Sequence, residues 1–144
     1  MSKNNLPKIL LAFDFGMKRI GVAIGQIVTQ TARPLETLKA INGEPHWDLV
    51  AKLISKWSPD AIIVGIPLNM DGTSQKITEN AREFAKKLQV QFKIPIYEMD
   101  ERLTTKDARE KLFQQGGYKA LQDGQVDAVA AQLILQNWFA ENIK

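Results

Sequence analysis

Three acidic positions stand where a charge is out of keeping with its neighbours. Asp14 ends the apolar run Ile9-Leu-Leu-Ala-Phe13 and sits between two phenylalanines. Asp100-Glu101 directly follows the strand-like segment Ile94–Met99. Asp127 opens a segment that continues Ala-Val-Ala-Ala-Gln-Leu-Ile-Leu, and its neighbours at helical spacing are Ala131, Ile134 and Trp138. It therefore lies on a stripe that is otherwise apolar. Each acid also has a plainer use. Asp14 can cap a turn through Gly16, the 100–101 pair can face solvent beside Arg102, and an acid in a first helical turn complements the helix dipole.

Taken together the three suggest specific chemistry. One strand end, a second parallel strand end and one helix start can converge on a point. Close carboxylates repel, and they stay ionised only with a cation between them or with raised pKa values. Oxygen-only ligands suit Mg²⁺ or Mn²⁺. Two such ions, roughly 3.5–4 Å apart, can activate water and stabilise the leaving oxygen in phosphodiester hydrolysis. No histidine is required, and the single one, His46, lies beside Pro45 in a predicted helix start and reads as surface. The chain has no cysteine, which excludes disulfides, thiolate metal sites and thiol nucleophiles.

The elements that must position these acids follow from the pattern. Lys8–Phe15 reads as a central strand, covered on both faces because its apolar run is nearly continuous. A turn at Gly16–Arg19 and a second strand, Ile20–Gln26, make an antiparallel hairpin, and Thr31–Lys39 extends the meander. Asn42-Gly-Glu-Pro45 reads as a helix start, leading into a helix through Lys56 that Ser58-Pro-Asp60 stops. Ala61–Ile66 is the next strand, followed by a loop and a helix that Ser74 can cap. Strand Ile94–Met99, a helix from Thr104 to about Gln115, and a final helix Val126–Phe139 complete the order. The expected fold is α/β, a single domain over residues 1–144. Its mixed five-stranded sheet has an antiparallel three-stranded meander, then parallel strands, flanked by helices.

Four segments carry a family resemblance: Leu11-Ala-Phe-Asp-Phe-Gly-Met-Lys-Arg-Ile-Gly-Val-Ala23, Ile62-Ile-Val-Gly-Ile-Pro-Leu-Asn-Met-Asp-Gly-Thr73, Asp100-Glu-Arg-Leu-Thr-Thr105 and Val126-Asp-Ala-Val-Ala-Ala131. In this order and spacing they resemble the YqgF (RuvX) family of bacterial ribonuclease H-like proteins, across nearly the whole chain. The resemblance implies a ribonuclease H-like fold and a divalent-metal nuclease. It implies 5′-end processing of pre-16S ribosomal RNA, with Holliday junction resolution as the alternative. It also selects Glu101 over Asp100, so that Asp14, Glu101 and Asp127 are the expected catalytic and metal-binding residues, holding Mg²⁺ or Mn²⁺, two ions in all.

Other residues fall on the same expected edge. Lys18 and Arg19 follow Asp14, Arg102 follows Glu101, and Asn69 lies beyond the Ala61 strand. All four are candidates for nucleic-acid contact, although most basic residues are simply solvated. Trp47, Trp57 and Trp138 are at helical apolar spacing and read as core. Net charge is +3, from 19 Lys+Arg against 16 Asp+Glu, which is compatible with a nucleic-acid partner without requiring one. RNA is favoured over DNA on the resemblance alone, and a monomer and a homodimer both remain open. No segment is long and apolar enough for a signal peptide or a membrane span, so the expected location is cytoplasmic.

Two readings of other classes compete. Asp14-Phe-Gly with Ile20-Gly-Val-Ala resembles the first phosphate loop of actin/Hsp70-type nucleotide-binding modules. Those bind nucleotide between two domains, and 144 residues supply one. A non-catalytic nucleic-acid-binding scaffold would keep the basic edge without needing all three acids.

Overall fold

Residues 8–69, 71–101 and 126–143 are described by the computed structural model. Among the described residues, six strands and three helices follow in the order β1 (Ile9–Asp14), β2 (Arg19–Gln26), β3 (Thr31–Ile41), β4 (Glu44–Pro45), α1 (Trp47–Trp57), β5 (Ala61–Ile66), α2 (Lys76–Phe92), β6 (Ile96–Asp100) and α3 (Val126–Asn142). The sheet order is β4-β3-β2-β1-β5-β6. Strands β1, β2, β3 and β4 pair antiparallel. Strand β5 runs parallel to β1, and β6 parallel to β5. The expected meander and parallel strands are both present. The helix expected from Thr104 lies outside the described residues.

The sheet has six strands rather than five, and the added one corrects the reading of Asn42–Pro45. Glu44 and Pro45 pair with Ile41 and Ala40 as a short strand. Asn42 and Gly43 both take positive φ, 52° and 81°, the two-residue turn for which Asn-Gly is the strongest short signal. Helix α1 begins later, with exposed His46 at its N-cap, and ends at Ser58 in the left-handed region, φ 44°.

The two faces of the sheet carry different side chains. One face presents Leu11, Phe13, Ile20, Val22, Ile24, Ile62, Val64 and Ile66 to the apolar sides of α1 and α2. Phe84 of α2 meets Phe13 and Phe15 there, at ring-centroid distances of 5.6 and 5.4 Å. The other face is covered by α3 and is built from Leu10, Ala12, Ala61, Ile63 and Met99 against Ile134, Leu135, Trp138 and Phe139. Small residues dominate the centre of this second face, so α3 lies close to the strands.

The C-terminal ends of β1, β5 and β6 open on one edge, and the loop after β5 is fixed there. Thr78, fully buried, accepts from the Gln75 N–H at 2.9 Å and donates to the carbonyl of Pro67. This capping box, centred on Gln75 and Thr78 rather than on Ser74, ties α2 to the end of β5. Within the loop the Asp71 carboxylate accepts from both the backbone and the hydroxyl of Thr73, at 2.9 and 2.6 Å. Replacing the Thr78 hydroxyl by a methyl strands the Gln75 donor and the Pro67 acceptor. Thr78→Val is expected to lower unfolding stability by about 1–3 kcal/mol, read as a lower urea midpoint at unchanged slope.

Candidate active site

The site is built on one row of residues across the sheet. Asp14, last in β1, pairs with Gly21 of β2 on one side and with Gly65 of β5 on the other. Gly65 pairs in turn with Met99 of β6. Register partners in a sheet point to the same face, and for this row it is the face covered by α3. Asp14 therefore stands between two positions that carry no side chain.

Those two gaps are filled by the other two acids. A β-carbon on Gly21 would lie 1.8 Å from the backbone oxygen of Asp127 and 2.7 Å from the nitrogen of Ala128. The first turn of α3 thus rests directly on the β2 backbone, with the Asp127 main chain over Gly21, the register partner of Asp14. A β-carbon on Gly65 would lie 2.6 Å from Oε1 of Glu101 and 2.4 Å from Cδ1 of Ile134. The Glu101 carboxylate is laid over β5, and its Oε1 is buried there. The Glu101 side chain, carried at the end of β6, lies over β5, and Asp127, carried on α3, lies over β2; these two strands flank β1 and are roughly 10 Å apart. Side chains reaching inward from both sides can span that width.

Asp127 is engaged elsewhere as it stands. Its Oδ2 lies 3.3 Å from Nε of Arg19, the residue that opens β2. The Asp127 side chain is 29% exposed and that of Arg19 69%. Among the described residues, no three acidic side chains are gathered tightly enough to hold a metal ion without rearrangement. The donor set nevertheless fits a hard divalent cation: three carboxylates, one with an oxygen buried against bare backbone, on a helix start and two strand ends.

The remaining candidates divide. Lys18 and Arg19 are exposed on the turn and strand start next to Asp14, and the Lys18 carbonyl accepts from Ala40 at 2.8 Å, which ties this turn to β3. Asn69 is exposed in the loop after β5, where its amide donates to the Thr73 hydroxyl at 2.8 Å and so serves the loop's own structure. Arg102 lies outside the described residues. Gly21 and Gly65 are the functional positions that the acids alone do not reveal. Their signal was in the sequence, because a glycine inside a strand pattern marks close approach of another group. Of the tryptophans, Trp138 is buried, while Trp57 lies half-buried with Arg33 and Lys56 each 5.2 Å from its ring centroid.

A mixed sheet of this order, antiparallel from β1 to β4 and parallel through β5 and β6, with helices on both faces, defines a ribonuclease H-like fold. The chain belongs to the RuvX family, whose model, described as "Holliday junction resolvase", matches residues 8–141. It is 55% identical over 132 residues to a Shewanella oneidensis protein named "Putative pre-16S rRNA nuclease", covering 92% of this chain and 94% of that one. An Escherichia coli O7:K1 protein of the same name is 54% identical over 132 residues, covering 92% and 96%. The fold is shared with the fowlpox virus resolvase solved with Holliday junction DNA, at TM-score 0.60 and 15% identity, covering 94% of this chain and 99% of that one. It is also shared with Thermus thermophilus RuvC in complex with a Holliday junction substrate, at TM-score 0.54 and 16% identity, covering 93% and 95%. The family's activity is hydrolysis of nucleic-acid phosphodiesters.

The glycine row makes a paired prediction. In Gly21→Ala the new methyl meets backbone, which has to move, so α3 lifts, stability falls by about 1–3 kcal/mol and cleavage is lost with it. In Gly65→Ala the methyl meets the ends of two side chains, so the fold survives while Glu101 is displaced. Circular dichroism melts and cleavage rates on both variants check this, and the expected contrast is a lower Tm for Gly21→Ala against lost activity at near-normal Tm for Gly65→Ala.

Proposed function

We propose that this protein is a divalent-metal nuclease that trims the 5′ end of pre-16S ribosomal RNA in the cytoplasm. The observation that carries the mechanism is Asp14 set between Gly21 and Gly65, with Asp127 and Glu101 occupying the space those glycines leave. The observation that carries the substrate is the name shared by relatives of 54–55% identity over nearly the full chain.

Asp14, Glu101 and Asp127 would hold Mg²⁺ or Mn²⁺, two ions in all. When bound, such ions supply an activated water and charge stabilisation at the leaving oxygen. The chain's own residues do the rest. Asp14 is fixed by strand pairing on both sides and cannot drift from the row. Glu101 is confined against the β5 backbone, where its oxygen is shielded from solvent. Asp127 sits in the first turn of α3, where the helix dipole favours negative charge. Lys18, Arg19, Asn69 and Arg102 are assigned to nucleic-acid contact, chiefly with backbone phosphate, where a bidentate guanidinium is the favoured donor. The mild positive balance of the chain supports an anionic partner without setting its identity.

The test compares a labelled precursor 16S 5′ fragment with a four-way DNA junction, each with Mn²⁺, with Mg²⁺ and with chelator. Cleavage of the RNA fragment alone, abolished by chelator, is the expected result. Asp14→Asn, Glu101→Gln and Asp127→Asn are each expected to cut at least about a hundredfold slower at unchanged Tm, because each removes part of several kcal/mol of transition-state stabilisation. Cleavage of the junction in preference to RNA would replace the substrate and keep the mechanism. Full activity in Asp14→Asn would overturn the mechanism itself.

A further inference from the structure

We infer that Arg19 is a resident counter-ion of the metal site, which competes with the cation for Asp127 and passes to the substrate phosphate when the cation binds. The inference rests on the three-carboxylate reading above and concerns how that site is regulated.

Three observations combine. Arg19 Nε lies 3.3 Å from Asp127 Oδ2, so the guanidinium and a metal ion would use the same carboxylate. Among the described residues no cluster of acids could hold a metal ion as it stands, so side chains must rearrange for one to form, and Asp127, held by Arg19, is the one assigned to move. The geometry also confines that movement to the side chain, because the Asp127 backbone is pressed onto Gly21 and cannot shift. Arg19 and Gly21 are two residues apart on β2 and so share the face that carries the site. The guanidinium is therefore at the rim of the site and 69% exposed, free to swing without breaking a packed contact.

The electrostatics favour an exchange rather than a fixed bridge. Three carboxylates gather three negative charges about one strand end, and Arg19 offsets one of them. A divalent cation offsets more, and it repels the guanidinium at short range. Once released, Arg19 is a planar, permanently charged fork at the rim, suited to two oxygens of a phosphodiester. The same residue thus discourages metal binding in the free protein and strengthens binding of the substrate in the loaded one. A half-exposed pair is worth little on its own, so the competition is modest.

The test is Mn²⁺ binding to the full chain by calorimetry, without nucleic acid, for the wild type, Arg19→Gln, Asp127→Asn and the double variant. Arg19→Gln is expected to bind Mn²⁺ about two- to tenfold more tightly than wild type. This gain should vanish in the Asp127→Asn background, since the competition runs through that carboxylate. In cleavage assays Arg19→Gln should raise KM for the nucleic acid, and Arg19→Lys, which keeps the charge but loses the fork, should fall between. Unchanged or weaker Mn²⁺ binding in Arg19→Gln, or a gain that persists in Asp127→Asn, would overturn the inference while leaving the nuclease reading intact. Failure of the wild type to bind Mn²⁺ at all would instead overturn the three-carboxylate reading beneath it.

Discussion

Close approach of groups to a bare backbone is the constraint on which the site depends. A sheet ordinarily keeps neighbouring elements at side-chain distance. Here two interruptions, at Gly21 and Gly65, let a helix start and a carboxylate descend to the strands beside Asp14. The small residues around them, Ala12 and Ala61, let the rest of α3 follow. The opposite face needs no such approach and is packed with large side chains under α1 and α2. The chain thus uses one face for stability and the other for proximity.

The acids do not stand as a closed cluster among the described residues, and Asp127 pairs with Arg19. The site is preorganised in its backbone and adaptable in one side chain. Asp14 and Glu101 are confined by strand pairing and by burial, whereas Asp127 keeps a choice. Two of the three acids are thus held by their surroundings, and the third is paired to an exposed guanidinium.

Much of this was legible in the residues. The apolar run that Asp14 ends marked a central strand, and the stripe of Ala131, Ile134 and Trp138 below Asp127 correctly marked the buried side of α3. Parallel pairing of β5 and β6 followed from the intervening helices. Three features differ from, or lie beyond, what the residues alone indicate. Pro45 suits a helix start, but Asn42-Gly43 closes a hairpin first, and turn chemistry outranks a proline that fits either role. The glycines of the row mark a close approach within a strand, but the group that approaches is distant in sequence and is not written beside them. Likewise the Arg19–Asp127 pair joins residues far apart in sequence, and no periodicity connects them.

Anomalous diffraction from crystals of the intact protein soaked in Mn²⁺ tests the central claim most directly. Anomalous density within ligating distance of Asp14, Glu101 and Asp127, with the Asp127 carboxylate turned away from Arg19, is the predicted result. Density only at other sites, or none beside Asp14 at saturating Mn²⁺ with all three side chains ordered, would contradict it.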